Sequence, residues 1–517
     1  MPPKAKQKVS KIEVIEPESP MLTGAVEELV KPQKVIAEVL DNSLKVKGTA
    51  SSAASSSVVL PKEADYIPFL VAVPNDDGDK DLASLEGEAV LSTNIDYPLF
   101  SLGFHHYLHA NKNKMEVLKQ FENKKKVYLV MNKFERYIDN YPDDIGHASE
   151  KFFEIKDGKP NILSRGFYKL WEVLHMFDLI DLNKGGFISA HLAEGPGSFI
   201  QATMFFRDKY AKNPKNDKYY AVTLHPEDDG KHIPDLEQSF IDYYNGEKPK
   251  RVILHQTYSK KMAGGFIDRD NGDITDPKTI MLFGGQLGKD KADFITADGG
   301  FDWTNENIQE QEAFRLIFAQ IYAAIKLQTK GGAFVCKFFE TFTNTSIKFI
   351  FLLGQMYKNI FLAKPLTSRP SNSEKYIVCT DFRYADSDKD YKLILEQLSQ
   401  IVEKLHKNGT DNLVRIWDEL VLPQTFILTM VFCNTTIANR QLKSINEIKE
   451  FIDMQNYYGD VYQMRRQMQI DASKYWIGRF MVERDKFQGV LGAIRQESEA
   501  VIDINSNKSL LPKINML

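Results

Sequence analysis

The chain has 517 residues, 43% hydrophobic and 26% charged, with a formal net charge of −4. That length allows two or three domains, and the composition is that of an ordinary globular protein. No run approaches the roughly 20 apolar residues of a membrane helix, so no membrane partner is expected. The start, MPPKAKQKVSK, has no apolar segment of the kind that directs secretion. Three widely separated cysteines, Cys336, Cys379 and Cys433, argue against a disulfide framework or a cysteine-rich zinc module and fit a reducing, intracellular compartment. With no global positive field, any nucleic acid must be met by local basic patches.

Residues 1–64 are rich in Lys, Glu, Val and Pro and end in a Ser/Ala tract over 48–59, which reads as a weakly ordered segment and linker. Residues 65–160 form an N-terminal globular extension that includes a Lys-rich amphipathic stretch, Lys112 to Lys126. Over 161–385 the pattern changes to short apolar runs alternating with helical periods. The runs 187–195, 218–225, 251–256, 292–300 and 332–340 predict buried strands, each bounded by Gly, Pro or charge. Between the last two, Phe314, Ile317, Phe318, Ile321, Ala324 and Ile325 recur at helical spacing, with Gly331 as a stop. A second helix over 345–357 leads to two apolar runs, 360–365 and 375–382, that can close as a hairpin. Strands alternating with helices predict an α/β domain with a mainly parallel sheet. Residues 386–505 read as mostly helical and 506–517 as a flexible polar tail.

Ligands of an open α/β sheet bind at the carboxyl ends of its strands. After the first strand, Gly195 and Gly197 allow a tight turn ahead of a helix N-terminus, but the third glycine of a dinucleotide fingerprint is absent. Alone, such a loop is equally well a simple strand–helix turn. Two further strands each end in a charge, Asp298 in ITADGG and Lys337 in FVCKFF. A single strand-end lysine commonly snorkels to solvent. A carboxylate at the equivalent end of the neighbouring strand weakens that explanation. A lysine partly desolvated beside another cation favours its neutral form, and a neutral amine can serve as a general base.

The segments LAEGPGSF, GDITDP, ITADGGFD, FVCKFFETF and KPLTSRPSNSEKYIVC resemble, in order and spacing, the FtsJ-like ribose 2′-O-methyltransferases, and most closely the branch that methylates capped mRNA. The resemblance covers roughly Ile162 to Arg383. It implies a Rossmann-like methyltransferase sheet with helices on both faces, S-adenosylmethionine (SAM) as methyl donor, and capped mRNA as substrate, with capping or transcription machinery as possible partners. It further implies a catalytic tetrad of Lys169, Asp298, Lys337 and Glu374. The implied SAM-contacting residues are Glu194, Gly195, Pro196, Gly197, Ser198 and Phe199, with Ser164, Asp273, Ile274 and Asp298. Asn307 and Asn372 match positions that contact substrate. The chain departs from the cap-methylating pattern at Ser164, where asparagine is expected, and at Asp302 and Trp303 after ADGGF. In these roles Lys337 is the base, Asp298 anchors the lysines and faces the donor, and Glu374 orients Lys169 or the ribose. Asp273 would meet the adenine amino group, although an acid there can simply cap a turn. The sulfonium methyl is already activated, so the reaction asks for positioning and a base, not a metal.

Other signals are set aside. Asp268–Asp273 fails as a calcium loop, with Asp273 where glycine is needed and Thr279 where glutamate is needed. His105, His106 and His109 lie at helical spacing without a Cys or acidic neighbour in sequence, and packing explains them better than a metal does. Lys112–Lys126, Lys248–Arg251, Lys260, Lys261 and the tail Lys4, Lys6, Lys8 and Lys11 are solvated faces or RNA tracks. Phe301, Trp303 and Tyr376 are candidates for a cap-stacking slot, although an aromatic at such a position is more often core than cap-binding. The alternatives are a 2′-O-methyltransferase of ribosomal or transfer RNA and a catalytically inactive RNA-binding scaffold. A dinucleotide-dependent oxidoreductase lacks its fingerprint glycine. Members of the resembled family in large DNA viruses work in the cytoplasm, so the resemblance implies a cytoplasmic location over a nuclear one.

Overall fold

The computed structural model describes residues 66–75, 89–94, 100–115, 117, 130–156, 158–225, 234–246, 249–255, 271–300, 306–409, 411–455 and 457–501. The expectations for 1–64 and 506–517, the tail lysines, Lys248, Lys260, Lys261, Phe301, Asp302 and Trp303 fall outside these residues.

The chain order begins with β1 (Phe69–Val73), β2 (Ala89–Ser92), α1 (Leu102–Lys112), α2 (Ile145–Phe152) and α3 (Gly166–Met176). It continues through β3 (Ile188–Leu192), α4 (Ser198–Tyr210), β4 (Lys218–Val222), α5 (Gln238–Gly246), β5 (Val252–Leu254), α6 (Pro277–Leu287) and β6 (Ala292–Ala297). Then come α7 (Gln309–Glu312), α8 (Phe314–Leu327), β7 (Gln328–Phe338), α9 (Asn344–Met356), β8 (Tyr357–Lys364) and β9 (Lys375–Phe382). The C-terminal part holds α10 (Lys389–Lys407), β10 (Asn412–Ile416), α11 (Gln424–Met454), α12 (Asp460–Phe480), α13 (Arg484–Val490) and α14 (Ala493–Val501).

Eight strands make one sheet in the order β1-β8-β9-β7-β6-β3-β4-β5, and β2 pairs with β10 in a small antiparallel ribbon. From β7 through β5 all neighbours are parallel, while β9 enters antiparallel between β7 and β8. The expected parallel sheet and closing hairpin are both present. The segment read as an N-terminal extension supplies β1, which pairs with β8 from Phe69↔Lys364 to Val73↔Ile360. A strand outside the alternating pattern thus completes the edge. The expected glycine stop also differs: α8 passes directly into β7 at Gln328, and Gly331 sits within the strand at φ +81°.

Both faces of the sheet are covered, so its strands are apolar on both sides. On β7, Phe334, Cys336 and Phe338 enter one core with α6, α8, α9, α10 and α11. Ala333 and Val335 enter the other with α3, α4, α5 and α12. This alternation is the period of two that a pleated strand imposes. Each fully buried Leu, Ile, Phe or Met side chain contributes roughly 1.5–3 kcal/mol, so the two cores rather than surface pairs hold the layers. The C-terminal helices are part of this packing: the Trp171 indole of α3 donates to the Phe480 carbonyl at 2.7 Å.

Candidate active site

One edge of the sheet collects the carboxyl ends of β3, β4, β6, β7 and β8 and, because it runs the other way, the amino end of β9. The register Ala297↔Cys336 between β6 and β7 puts Asp298 and Lys337 side by side just beyond the last paired residues. Lys337 Nζ lies 3.1 Å from Asp298 Oδ1 and donates to the Asp298 carbonyl at 2.8 Å. A Cβ on Gly300 would stand 3.3 Å from Lys337 Nζ, so the second glycine of ADGG leaves room for the ammonium. Lys169, from α3, lies 2.7 Å from Glu374 Oε1 and 2.8 Å from Oε2. The Tyr376 hydroxyl joins the two pairs, 3.0 Å from Glu374 Oε1 and 3.4 Å from Asp298 Oδ1. All four residues implied as a tetrad therefore meet at one place.

The electrostatics follow from burial and partners. Burial alone would raise the Glu374 carboxyl, but the ammoniums of Lys169, Lys337 and Lys364 together hold it well below the usual carboxylate range. Burial, with Asp298 and Glu374 adding to it, keeps the Tyr376 hydroxyl far above its ordinary value, so it stays a donor. Lys364 itself is pulled down to about 7 by burial, against the opposing pull of Glu374. Its Nζ donates to the Glu374 carbonyl at 2.6 Å, to Asn372 Oδ1 at 2.9 Å and to Ser368 Oγ at 3.2 Å. That single amine ties down the loop that delivers Glu374.

Beside the two pairs lies the glycine loop. Glu194 Oε1 accepts from the backbone N–H groups of Phe199 and Ile200, both at 2.8 Å, closing the first turn of α4. Its other oxygen is buried without a hydrogen-bond partner and lies 3.9 Å from His191 Nδ1. Burial raises Glu194 to about 8, the negative charge of Asp298 adding to the effect, and lowers His191 to about 3. A Cβ on Gly195 would lie 1.8 Å from the Pro234 carbonyl oxygen, so the loop is built around its absence. Gly197 at φ +111° caps α4 in a conformation that disfavours a side chain. Ser198 and Ser164 share a 2.6 Å hydrogen bond, which joins this loop to the start of α3. The loop offers a backbone cradle with the Asp298 carboxylate beside it, and Glu194, raised by burial, adds a second negative charge once a cation favours its ionised form; that fits a ligand carrying a sulfonium and an ammonium.

Asp273 Oδ1 accepts from Thr275 N at 2.9 Å and Thr275 Oγ1 at 2.7 Å, the turn-capping geometry weighed for it. Ile274 is buried in the apolar core. Asn307 Nδ2 donates to Asn113 Oδ1 at 2.9 Å, so α1 ends beside it. Asn372 gives both its carbonyls to Lys364. Tyr376, a candidate for cap stacking, is 1% exposed and directs its hydroxyl at carboxylates, so its ring is core. Lys112 is buried and paired with Glu340, and Arg251 is paired with Asp208 at 2.6 Å beneath Tyr219 and Tyr244. Those two basic residues are structural. His105 and His109 are buried on α1 with ring centroids 3.9 Å apart, each lowered to about 4 by burial, and no group of three metal-binding side chains occurs among the described residues.

Several site residues escaped the sequence reading. Lys364 ends an apolar strand just as Lys337 does, and that same signal marks it. Glu172 carried no signal at all. It is completely buried on α3, and its carboxylate accepts from Leu366 N at 2.7 Å, Thr367 N at 2.8 Å, Thr367 Oγ1 at 2.5 Å and Trp476 Nε1 at 3.0 Å. Glu135 is likewise held between Arg165 and Arg369 at 3.1 and 2.8 Å.

The family model of FtsJ-like methyltransferases matches residues 162–382, which include every one of the paired lysines and carboxylates. Residues 162–382 are an FtsJ-like methyltransferase domain. The chain is 27% identical over 278 residues to the Cap-specific mRNA (nucleoside-2'-O-)-methyltransferase 2 of Drosophila melanogaster, covering 53% of this chain and 37% of that protein. It is 30% identical over 271 residues to the Cap-specific mRNA (nucleoside-2'-O-)-methyltransferase 1 of Homo sapiens, covering 51% of this chain and 29% of that protein. The match thus spans about a third of the length of these relatives. Among solved structures, a putative ribosomal RNA methyltransferase from Plasmodium falciparum aligns over 43% of this chain and 99% of that one, at 20% identity and a TM-score of 0.28. The FtsJ-like domain does not stand alone here: β1 lies before the matched span, and α12, which supplies Trp476 to Glu172, lies after it.

Proposed function

We propose that this chain transfers a methyl group from SAM to a ribose 2′-oxygen of RNA, at the first or second transcribed nucleotide of capped mRNA. The observation that carries the reading is the joining of Lys169–Glu374 to Lys337–Asp298 through Tyr376 at the sheet edge, beside the Glu194–Phe199 loop. The names of the relatives support RNA as substrate and the cap as its distinguishing feature.

The Glu194–Phe199 loop and Asp298 would hold SAM, which supplies a methyl group already activated for transfer by its positive sulfur. The chain's own work is to fix the ribose and to take its proton. Lys169, steadied by Glu374, orients the 2′-hydroxyl by donating to its oxygen. Lys337 in its neutral form accepts the 2′-proton at Nζ as the new oxygen–carbon bond forms and the carbon–sulfur bond breaks. Asp298 keeps Lys337 Nζ aimed at the oxygen and receives charge complementarity once that amine is protonated. Positioning and general-base catalysis of this kind are each worth several powers of ten in rate.

The deciding measurement is methyl transfer from labelled SAM to two short RNAs that differ only in a methylated-guanosine cap. Label on the first or second ribose of the capped RNA alone is the expected result. Label on both would move the assignment to a general RNA 2′-O-methyltransferase. Label on neither would leave an RNA-binding scaffold with this fold.

A further inference from the structure

The paired lysines and carboxylates are not the only polar group of residues at this edge. The amino end of α9 opens into a cavity of about 340 Å³ whose walls include Gln311, Thr345, Lys348, Arg415 and Asp418. Helix α9 begins where the loop after β7 turns back, so the cavity lies at the same edge as Lys337. Helix α7 links the two: Gln309 Oε1 accepts from Ser373, next to Glu374, and Glu310 accepts from Phe342 N and Thr343 N. The next residue, Gln311, faces the cavity.

Three features call for a ligand. Thr343 Oγ1 caps Ser346 N, while the N–H groups of Asn344 and Thr345 have no hydrogen-bond acceptor among the described residues. A helix N-terminus with free N–H groups attracts phosphate. Second, Gln311 is only 6% exposed, and its Oε1 is buried with no partner, so a hydrogen-bond acceptor waits where water is scarce. Third, the cations at the cavity outnumber its acid. Lys348 donates to the Ile416 and Trp417 carbonyls at 2.8 and 2.7 Å, while exposed Arg415 reaches Asp418 only loosely, at 3.8 Å. A phosphodiester, which has no hydrogen to give, would satisfy the helix and Arg415 but would leave Gln311 unpaired. A nucleotide satisfies all of them, since it brings a phosphate and, within a few ångströms, a hydroxyl or amino hydrogen. The volume also suits one nucleotide, at the low end of ligand cavities.

We propose that this cavity is a subsite for one nucleotide of the RNA chain, outside the acceptor site, with its phosphate on the α9 N-terminus and Arg415 and its hydroxyl or amino group on Gln311. The assignment rests on the reading of RNA as substrate. Its test uses the full chain and two probes, a fluorescein-labelled single-stranded RNA and uridine 5′-monophosphate, with Arg415→Glu and Gln311→Leu as variants. SAM binding serves as the check that each variant is folded. Arg415→Glu is expected to weaken RNA binding by roughly fivefold or more and to lower the slope of log affinity against log salt by about 1. Gln311→Leu is expected to weaken both probes without changing that slope. Unchanged binding of both probes in both variants overturns the proposal, and so does a wild type that binds neither. Wild-type methyl transfer to RNA alongside unaffected variants would sink this subsite and leave the proposed reaction standing. Variant-sensitive binding of the mononucleotide alone would mark a free-nucleotide site and overturn the assignment to RNA.

Discussion

Lys337 and Asp298 are bound twice, through the aspartate's carboxylate at 3.1 Å and through its backbone carbonyl at 2.8 Å. The carbonyl contact matters because it fixes the amine whatever the carboxylate does. Adjacent parallel strands set that distance, so the sheet itself, not a mobile loop, aims the candidate base. Lys337→Ala is expected to lower kcat for methyl transfer by about 10²–10⁴-fold, the usual worth of a general base. SAM affinity should stay within roughly twofold of wild type in titration calorimetry, since the Glu194–Phe199 loop and Asp298 that would hold SAM are all retained. Undiminished turnover in this variant would remove Lys337 from its role.

Glu172 stands one helical turn from Lys169 on α3, and both side chains grip the same segment. Lys169 holds Glu374 at its far end, and Glu172 holds Leu366 and Thr367 at its near end. The carboxylate has four donors and no cation, so the spacing of Lys169 and Glu374 depends on it. Burial lifts Glu172 from 4.5 to about 7 against those four donors. Because its folded value is raised, its contribution to stability is complete below about pH 4.5 and is lost as pH rises through about 7. Glu172→Gln turns an amide toward at least one donor and is expected to cost roughly 1–3 kcal/mol of stability. It should also flatten this pH dependence in denaturant titrations and lower kcat with SAM affinity preserved. A variant with wild-type kcat but reduced stability would show that Glu172 only supports the fold.

The same residue shows why parts of the site were legible in sequence and parts were not. Lys337 and Asp298 were visible because a charge that closes an apolar run is out of place on chemical grounds. Glu172 sits in an ordinary amphipathic helix, LWEVLHM, where an acid reads as a solvent-facing position. Its burial is produced by Trp476, some three hundred residues away in sequence, and no local period reports that contact. The parallel strands were legible because both their faces are covered, which leaves nearly unbroken apolar runs. Strand β1 was not, since it joins the sheet through β8, almost the full length of the domain later. Asp273 was ambiguous in sequence, and its side chain is taken up by Thr275.

Gly195 tests the cofactor loop without touching any charged group. Its missing side chain is what lets the loop pack against Pro234, where a Cβ would come within 1.8 Å of a backbone oxygen. Backbone cannot rotate out of the way as a side chain could. Gly195→Ala should therefore displace the loop and reduce SAM affinity by roughly 100-fold or more, an overpacking cost of about 3 kcal/mol expressed at the loop. The cores on either side of the sheet do not include this residue, so thermal unfolding should remain cooperative. Wild-type SAM affinity in Gly195→Ala would mean that the loop is not the cofactor cradle.

Glu194 makes the cradle sensitive to pH. Burial raises it to about 8, with the nearby charge of Asp298 as a further cause, so without ligand it is mostly neutral at pH 7. A cation placed beside the buried, unpartnered oxygen favours the ionised form. Affinity for SAM is therefore expected to rise with pH up to about 8 and then level, by at most tenfold per pH unit. In the ligand-free chain the sign is opposite: the raised carboxyl stabilises the fold at low pH, and that contribution is lost as pH rises through about 8. S-adenosylhomocysteine, which lacks the sulfonium charge, should show a shallower pH dependence than SAM. Glu194→Gln should remove the difference between the two ligands, as calorimetric titrations across neutral pH would record. An identical slope in wild type and Glu194→Gln would assign the pH dependence to the ligand's own amine and leave Glu194 as a cap for α4 alone.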